Sequence, residues 1–207
     1  MEIRERIKQK ADELYRRYGV KSVTMDEIAS QLGVSKKTIY QFFDDKNQLV
    51  DAVFVEMLDY NKSCCRDSRA QAQDAVHELF LDMDNLQEIM LNMNPSILFD
   101  IERGHPNTFK KFAEFKYHFL FQIIKKNIER GIKEELYRGE MNADVIAKMR
   151  LEMIMLPFNE ELFPKSHYSL AQLQQELLEF FLFGMITPKG HKLITKYQKE
   201  RQKKQVQ

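Results

Sequence analysis

The sequence predicts an all-α protein: an N-terminal three-helix head of helix-turn-helix (homeodomain-like) form, then a larger C-terminal helical domain. Three observations carry this. Apolar residues recur at three- and four-residue spacing through the long segments. The 207 residues include only 7 Gly and 5 Pro, little material for turns, which favours few and long helices. Residues 24–49, TMDEIASQLGVSKKTIYQFFDDKNQL, carry the cap and stop signals of two short helices and the start of a third.

The first helix is predicted over Ile3–Tyr18. Ile3, Ile7, Ala11, Leu14 and Tyr18 form one apolar stripe, and Gly19 ends it. Arg4 and Lys8 lie on another side, as flanking DNA contacts or a solvated face. The second helix runs from about Met25 to Leu32, with Thr24 as N-cap and Glu27 at capping-box spacing. Gly33 supplies the left-handed stop. Ser35 caps a third helix holding Thr38, Ile39, Tyr40 and Phe42, with Ile39 and Phe42 turned inward.

That order is the sequence form of a helix-turn-helix, which offers the start of its second helix to a DNA groove. Here the start is Ser35-Lys36-Lys37-Thr38, with Tyr40 and Gln41 a turn later and Lys46 past the Asp44-Asp45 turn. Cations and hydroxyls on phosphate give affinity and register, and groups on base edges give sequence choice. Double-stranded DNA is therefore the predicted partner. The competing readings are a solvated αα-hairpin in a helical small-molecule-binding protein or enzyme, and a protein–protein adaptor.

In residues 23–29 (VTMDEIA), 33–40 (GVSKKTIY), Phe42-Phe43 and 46–49 (KNQL), the chain resembles the TetR family of bacterial transcriptional regulators. The resemblance is strong over about the first fifty residues and beyond them rests on length and helical layout. It implies a homodimer with a DNA-binding head and a ligand-sensing body. It also implies that Thr24, Ser35, Thr38, Tyr40 and Lys46 hold phosphates, with Lys36, Lys37 and Gln41 nearest the bases. Position 37 is often small in the family and here is Lys, so base reading and phosphate clamping both remain open for it.

A connecting helix is predicted from Lys46 into the low sixties, apolar over a wide arc from Leu49 to Tyr60, with Cys64 and Cys65 at its end. Adjacent cysteines rarely bridge, so these are read as inert thiols in a reducing cytoplasm. Further helices are predicted over 68–92, 95–102 and 107–132, the last strongly aromatic, with Gly131 and Gly139 flanking a turn. Two more follow at 143–163 and 170–186, each with more apolar girth than one core needs, predicting a four-helix dimer interface built from two helices of each copy. Residues 189–207 read as a basic tail, a mobile terminus or a frayed helix. The predicted organisation is a DNA-binding domain at 1–47, a ligand-binding and dimerisation domain at 48–188, and the tail.

The 11 Met and 15 Phe, most of the latter in the body, suit an adaptable apolar pocket; Phe80, Met83, Phe99, Phe115, Phe119 and Met153 are the candidate lining for an apolar or amphipathic effector. The five His show no ligand spacing, and no phosphate loop, nucleophile elbow or catalytic carboxylate pair stands out, so no metal, cofactor or enzyme activity is predicted. No apolar run of membrane-spanning length exists in the sequence. The net charge of +1 is uneven: residues 1–50 carry +2, residues 51–188 carry −7 and residues 189–207 carry +6. DNA contact must then come from locally clustered cations, with the acidic middle turned away.

Overall fold

The computed structural model describes residues 2–91 and 93–205, with side chains through Arg201. The head comprises α1 (Ile3–Tyr18), α2 (Met25–Leu32) and α3 (Lys36–Tyr40). The third helix is shorter than predicted: Phe42 lies beyond it and is only partly buried, while Phe43, 1% exposed, is the aromatic that seals the head. Lys8 is buried against Glu5 and against Glu56 of the next helix, so it offers no flanking cation. Arg4 stacks over the Phe43 ring, 5.1 Å from its centroid.

The connector α4 spans Lys46–Gln71, about ten residues past the predicted end. Nothing in Lys62–Gln71 breaks a helix, and the stop comes from the next one: Asp74 caps α5 (Ala75–Met90) by accepting the His77 N–H at 2.8 Å. Cys64 and Cys65 therefore lie inside α4. One apolar core joins Ile7 and Leu14, Ile28, Ile39 and Phe43 to Val50 and Phe54 of α4 and to Ile97 and Ile101 of α6 (Ile97–Gly104). The head shares its core with the body, as expected for a unit of about fifty residues.

The predicted 107–132 helix is a run of three pieces: α7 (Pro106–Glu114), a π-helical turn (Phe115–Leu120) and α8 (Phe121–Lys133). Gly131 lies in the last turn of α8 and, as expected, borders the turn that follows; a Cβ there would collide with the Tyr137 ring. α9 (Ala143–Met155) stops eight residues short of the prediction, where Leu156–Phe158 tightens into a 3-10 turn around Pro157. α10 spans Leu170–Met185. Among the described residues no strand forms, and a single antiparallel bridge pairs Tyr137 with Ile186.

The basic tail is not a loose terminus over its described length. α11 (Pro188–Gln205) docks on α5: Ile194 and Tyr197 are 2% and 3% exposed, the Tyr197 ring stacks on His77, and its hydroxyl donates to Asp74. Val206 and Gln207 lie outside the described residues. A second core gathers α5, α8, α9, α10 and α11 around Val76, Phe80, Ile128, Phe181 and Met185. Glu78, 1% exposed, ties three helices by accepting from Arg69 at 2.7 Å and Arg130 at 2.9 Å. No described helix is long and apolar enough to cross a membrane.

Candidate nucleic-acid interface and ligand cavity

The turn between α2 and α3 is fixed by local chemistry. The Thr24 hydroxyl accepts the Glu27 N–H at 3.1 Å. Gly33 adopts φ 67° and ψ 30°, the left-handed conformation that a Cβ disfavours, and the Val34 N–H returns to the Ala29 carbonyl at 3.0 Å. Ser35 accepts the Thr38 N–H at 3.1 Å, and the two hydroxyls lie 2.8 Å apart. Ile39, fully buried, anchors the short helix from beneath.

This scaffold leaves Thr24, Ser35, Lys36, Lys37, Tyr40 and Gln41 exposed, with Thr38 partly so. Tyr40 keeps 43% of its surface in solvent. Lys36 pairs with Asp26 at 2.7 Å, and that hydrogen bond raises its pKa. Lys37 enters none of the ion pairs found among the described residues.

Lys46 stands apart from this row. Its ammonium donates to the Val20 carbonyl at 2.6 Å, and burial lowers its pKa against the opposing pull of Asp100. Sequence reasoning missed this inward turn, because the partner is a backbone oxygen twenty-six positions away.

Between α4, α5, α7, α8, α9 and α10 lies a cavity of ≈160 Å³. Of the six candidate lining residues, Met83 and Phe115 reach it. Phe80 faces a separate groove near α11, where Arg201 lies over its ring. Phe99 is 51% exposed and carries Arg103 over its ring at 4.3 Å. Phe119 stacks on Phe115 in an outer groove, and Met153 packs into the second core. Helical spacing gave each side chain a face, but not the helix that face meets.

The cavity wall also holds charged and polar groups that sequence reasoning passed over. Asp82 and Arg150 both line it. Burial pushes the Asp82 carboxyl up to about 7 and draws Arg150 down to about 10. Cys65 lines it too, and burial pushes its thiol up to about 12, which leaves it a weak nucleophile.

An all-helical chain with a capped helix-turn-helix presenting a polar, cationic row defines a DNA-binding protein of the helix-turn-helix class. Residues 7–53 match the family model for bacterial regulatory proteins of the TetR family. An HTH-type transcriptional regulator of Staphylococcus aureus is 24% identical over 190 residues, covering 88% of this chain and 94% of that protein. A TetR-family regulator from Agrobacterium tumefaciens superposes with a TM-score of 0.72 at 16% identity, covering 89% of this chain and 97% of the other. A transcriptional regulator from Saccharomonospora viridis, solved with choline, gives 0.71 at 21% identity and covers 89% and 97%. Over residues 7–53 the chain thus carries the DNA-binding region of bacterial regulatory proteins of the TetR family, and over most of its length it shares their all-helical fold.

Proposed function

We propose that the protein is a cytoplasmic repressor that binds a near-palindromic operator as a homodimer and is released from it by a small apolar or amphipathic effector. The observation that carries the DNA-binding part is the exposed row Ser35–Gln41 held on a scaffold sealed by Ile39 and Phe43. In this reading Thr24, Ser35, Thr38 and Tyr40 hold phosphates, while Lys36, Lys37 and Gln41 lie nearest the bases. Lys46 acts from behind, as a brace for the loop at Val20.

Release follows from a path of direct contacts. Ile97 and Leu98, at the start of α6, line the cavity. Two residues past Leu98, Asp100 accepts the Lys21 N–H at 2.9 Å, and Asn94 donates its N–H to the Arg16 carbonyl at 2.6 Å. An effector that displaces α6 thereby shifts the head, and differential binding to two head spacings lowers DNA affinity. The related S. viridis regulator was solved with choline, which supports a ligand-binding body in this fold.

Mobility-shift and footprinting assays on DNA upstream of the protein's own gene test the proposal. A protected, near-palindromic site whose occupancy falls with Lys37→Ala supports it. No protection at low salt refutes it and leaves a helical ligand-binding protein.

A further inference from the structure

The cavity's polar groups fall into two kinds. Asn61, Asn85 and Asn127 are satisfied by protein: their amides donate to the Met57 carbonyl at 2.8 Å, the Ser68 hydroxyl at 3.0 Å and the Ala75 carbonyl at 3.0 Å. Arg150 and Asp82 each keep one buried atom unpaired, although Ser68 also acts on the Asp82 carboxyl by a hydrogen bond. Arg150 Nη1 and Asp82 Oδ1 are sealed from solvent, and neither meets a hydrogen-bond partner among the described residues. Arg150 is 5% exposed, with its guanidinium 5.5 Å from the centroid of the Phe181 ring.

A buried cation without a close counterion is costly, and a guanidinium does not escape by losing its proton near neutrality. Even drawn down to about 10, Arg150 stays charged at pH 7. Asp82 is an incomplete counterion: it forms no ion pair with Arg150 among the described residues, and burial lifts its carboxyl to about 7. Arg150 thus presents an unpaired guanidinium nitrogen in an otherwise largely apolar lining. The cavity volume of ≈160 Å³ is close to the roughly 150 Å³ of an apolar cavity that accommodates one benzene ring.

We propose that this cavity takes small monoanionic amphipaths, carboxylic acids with a compact apolar body, whose carboxylate accepts from Arg150 while the body lies against the Met, Leu, Ile and Phe lining. The proposal rests on the reading of the cavity as the effector site and names the chemistry of that effector. A cationic head of the same size meets the Arg150 charge. A neutral alcohol fills the apolar part and leaves the guanidinium without an opposite charge.

Calorimetric titration of the protein with benzoate, benzyl alcohol and benzylamine varies the head on one compact ring. Benzoate is expected to bind at least about ten-fold more tightly than the other two. Arg150→Met is expected to remove that advantage while leaving benzyl alcohol within about two-fold, and Arg150→Lys to recover part of it. The proposal is overturned if benzyl alcohol or benzylamine matches benzoate, if benzoate gives no binding at millimolar concentration, or if Arg150→Met keeps benzoate affinity. Circular dichroism checks the fold of each variant; should Arg150→Met unfold, the ranking on the unaltered protein decides alone. A mobility shift separates the two readings. Benzoate that binds without releasing DNA removes the effector role and leaves the head-group assignment, whereas release by a ligand with no acid head removes only the assignment.

Discussion

Lys46, the first residue of α4, donates from its ammonium to the carbonyl oxygen of Val20, 2.6 Å away in the loop between α1 and α2. The same loop is held from the other side by α6. Asp100 accepts the Lys21 N–H, and a Cβ on Gly19 would stand 2.7 Å from Ser96 Oγ and 2.9 Å from Asp100 Oδ2. Gly19 also sits at φ 81°, so both its space and its backbone exclude a larger residue. The loop is a joint gripped by the connector and by the helix that borders the cavity.

Lys46→Met keeps the apolar stem and removes the ammonium, leaving the Val20 carbonyl without its donor. The expected loss is about 1–3 kcal/mol of stability, read from urea unfolding. The salt slope of DNA binding should stay the same, because the ammonium points into the protein. Lys37→Ala should do the reverse: stability within about 0.5 kcal/mol, and a salt slope flatter by about one unit per protomer. A flattened slope in Lys46→Met would show that the side chain swings out to phosphate.

Ser35→Ala removes the acceptor for the Thr38 N–H and the neighbour of the Thr38 hydroxyl. A helix of five residues has little else to hold its first turn. Thermal unfolding should report a loss of about 1 kcal/mol, and DNA affinity should fall more steeply than stability, since the same hydroxyl faces the proposed phosphate. Equal effects on both would confine Ser35 to capping.

What the sequence made legible was local. Thr24, Gly33 and Ser35 act within four residues of themselves, so α2, the turn and the start of α3 were readable from spacing alone. The end of α4 was not, because it is set by Asp74 capping the following helix rather than by any breaker in α4. The pocket was legible as an adaptable Met- and Phe-rich body, but only Met83 and Phe115 of the six named residues line the cavity. Its two buried charges, Asp82 and Arg150, read along the chain like the many charges on solvated helix faces. Only the packing of α5 and α9 against α8 and α10 brings them into one apolar enclosure.

Asp82 also makes stability depend on pH with a definite sign. The native carboxyl titrates at about 7 and the unfolded one near 3.8, so between these values the folded protein binds the extra proton. Stability is therefore fullest below pH 4 as far as this group is concerned, and it is lost as pH rises through about 7. The span of about three units corresponds to a few kcal/mol. Asp82→Asn should abolish this fall and raise stability at pH 8 relative to the unaltered protein. Urea midpoints from pH 5 to pH 8 check it, and a parallel decline in both proteins would place the titration elsewhere.

The outward faces of α9 and α10 carry large apolar side chains with no cover in a single chain. Phe180 is 77% exposed and Phe183 48% on α10, and Val145 and Met149 are 57% and 49% exposed on α9. Exposed apolar side chains grouped on neighbouring helices mark an interface, and these two helices pack against each other. Phe180→Asp places a charge at the most exposed of them without touching either core. Sedimentation at micromolar concentration should show the unaltered protein as a dimer and the variant as a monomer of unchanged helical content. DNA affinity should collapse with it, because two half-sites about 34–36 Å apart, or a multiple of that, demand both heads at once. A variant that stays dimeric would move the interface away from these faces, and the groove between α5, α10 and α11 would be the next surface to alter.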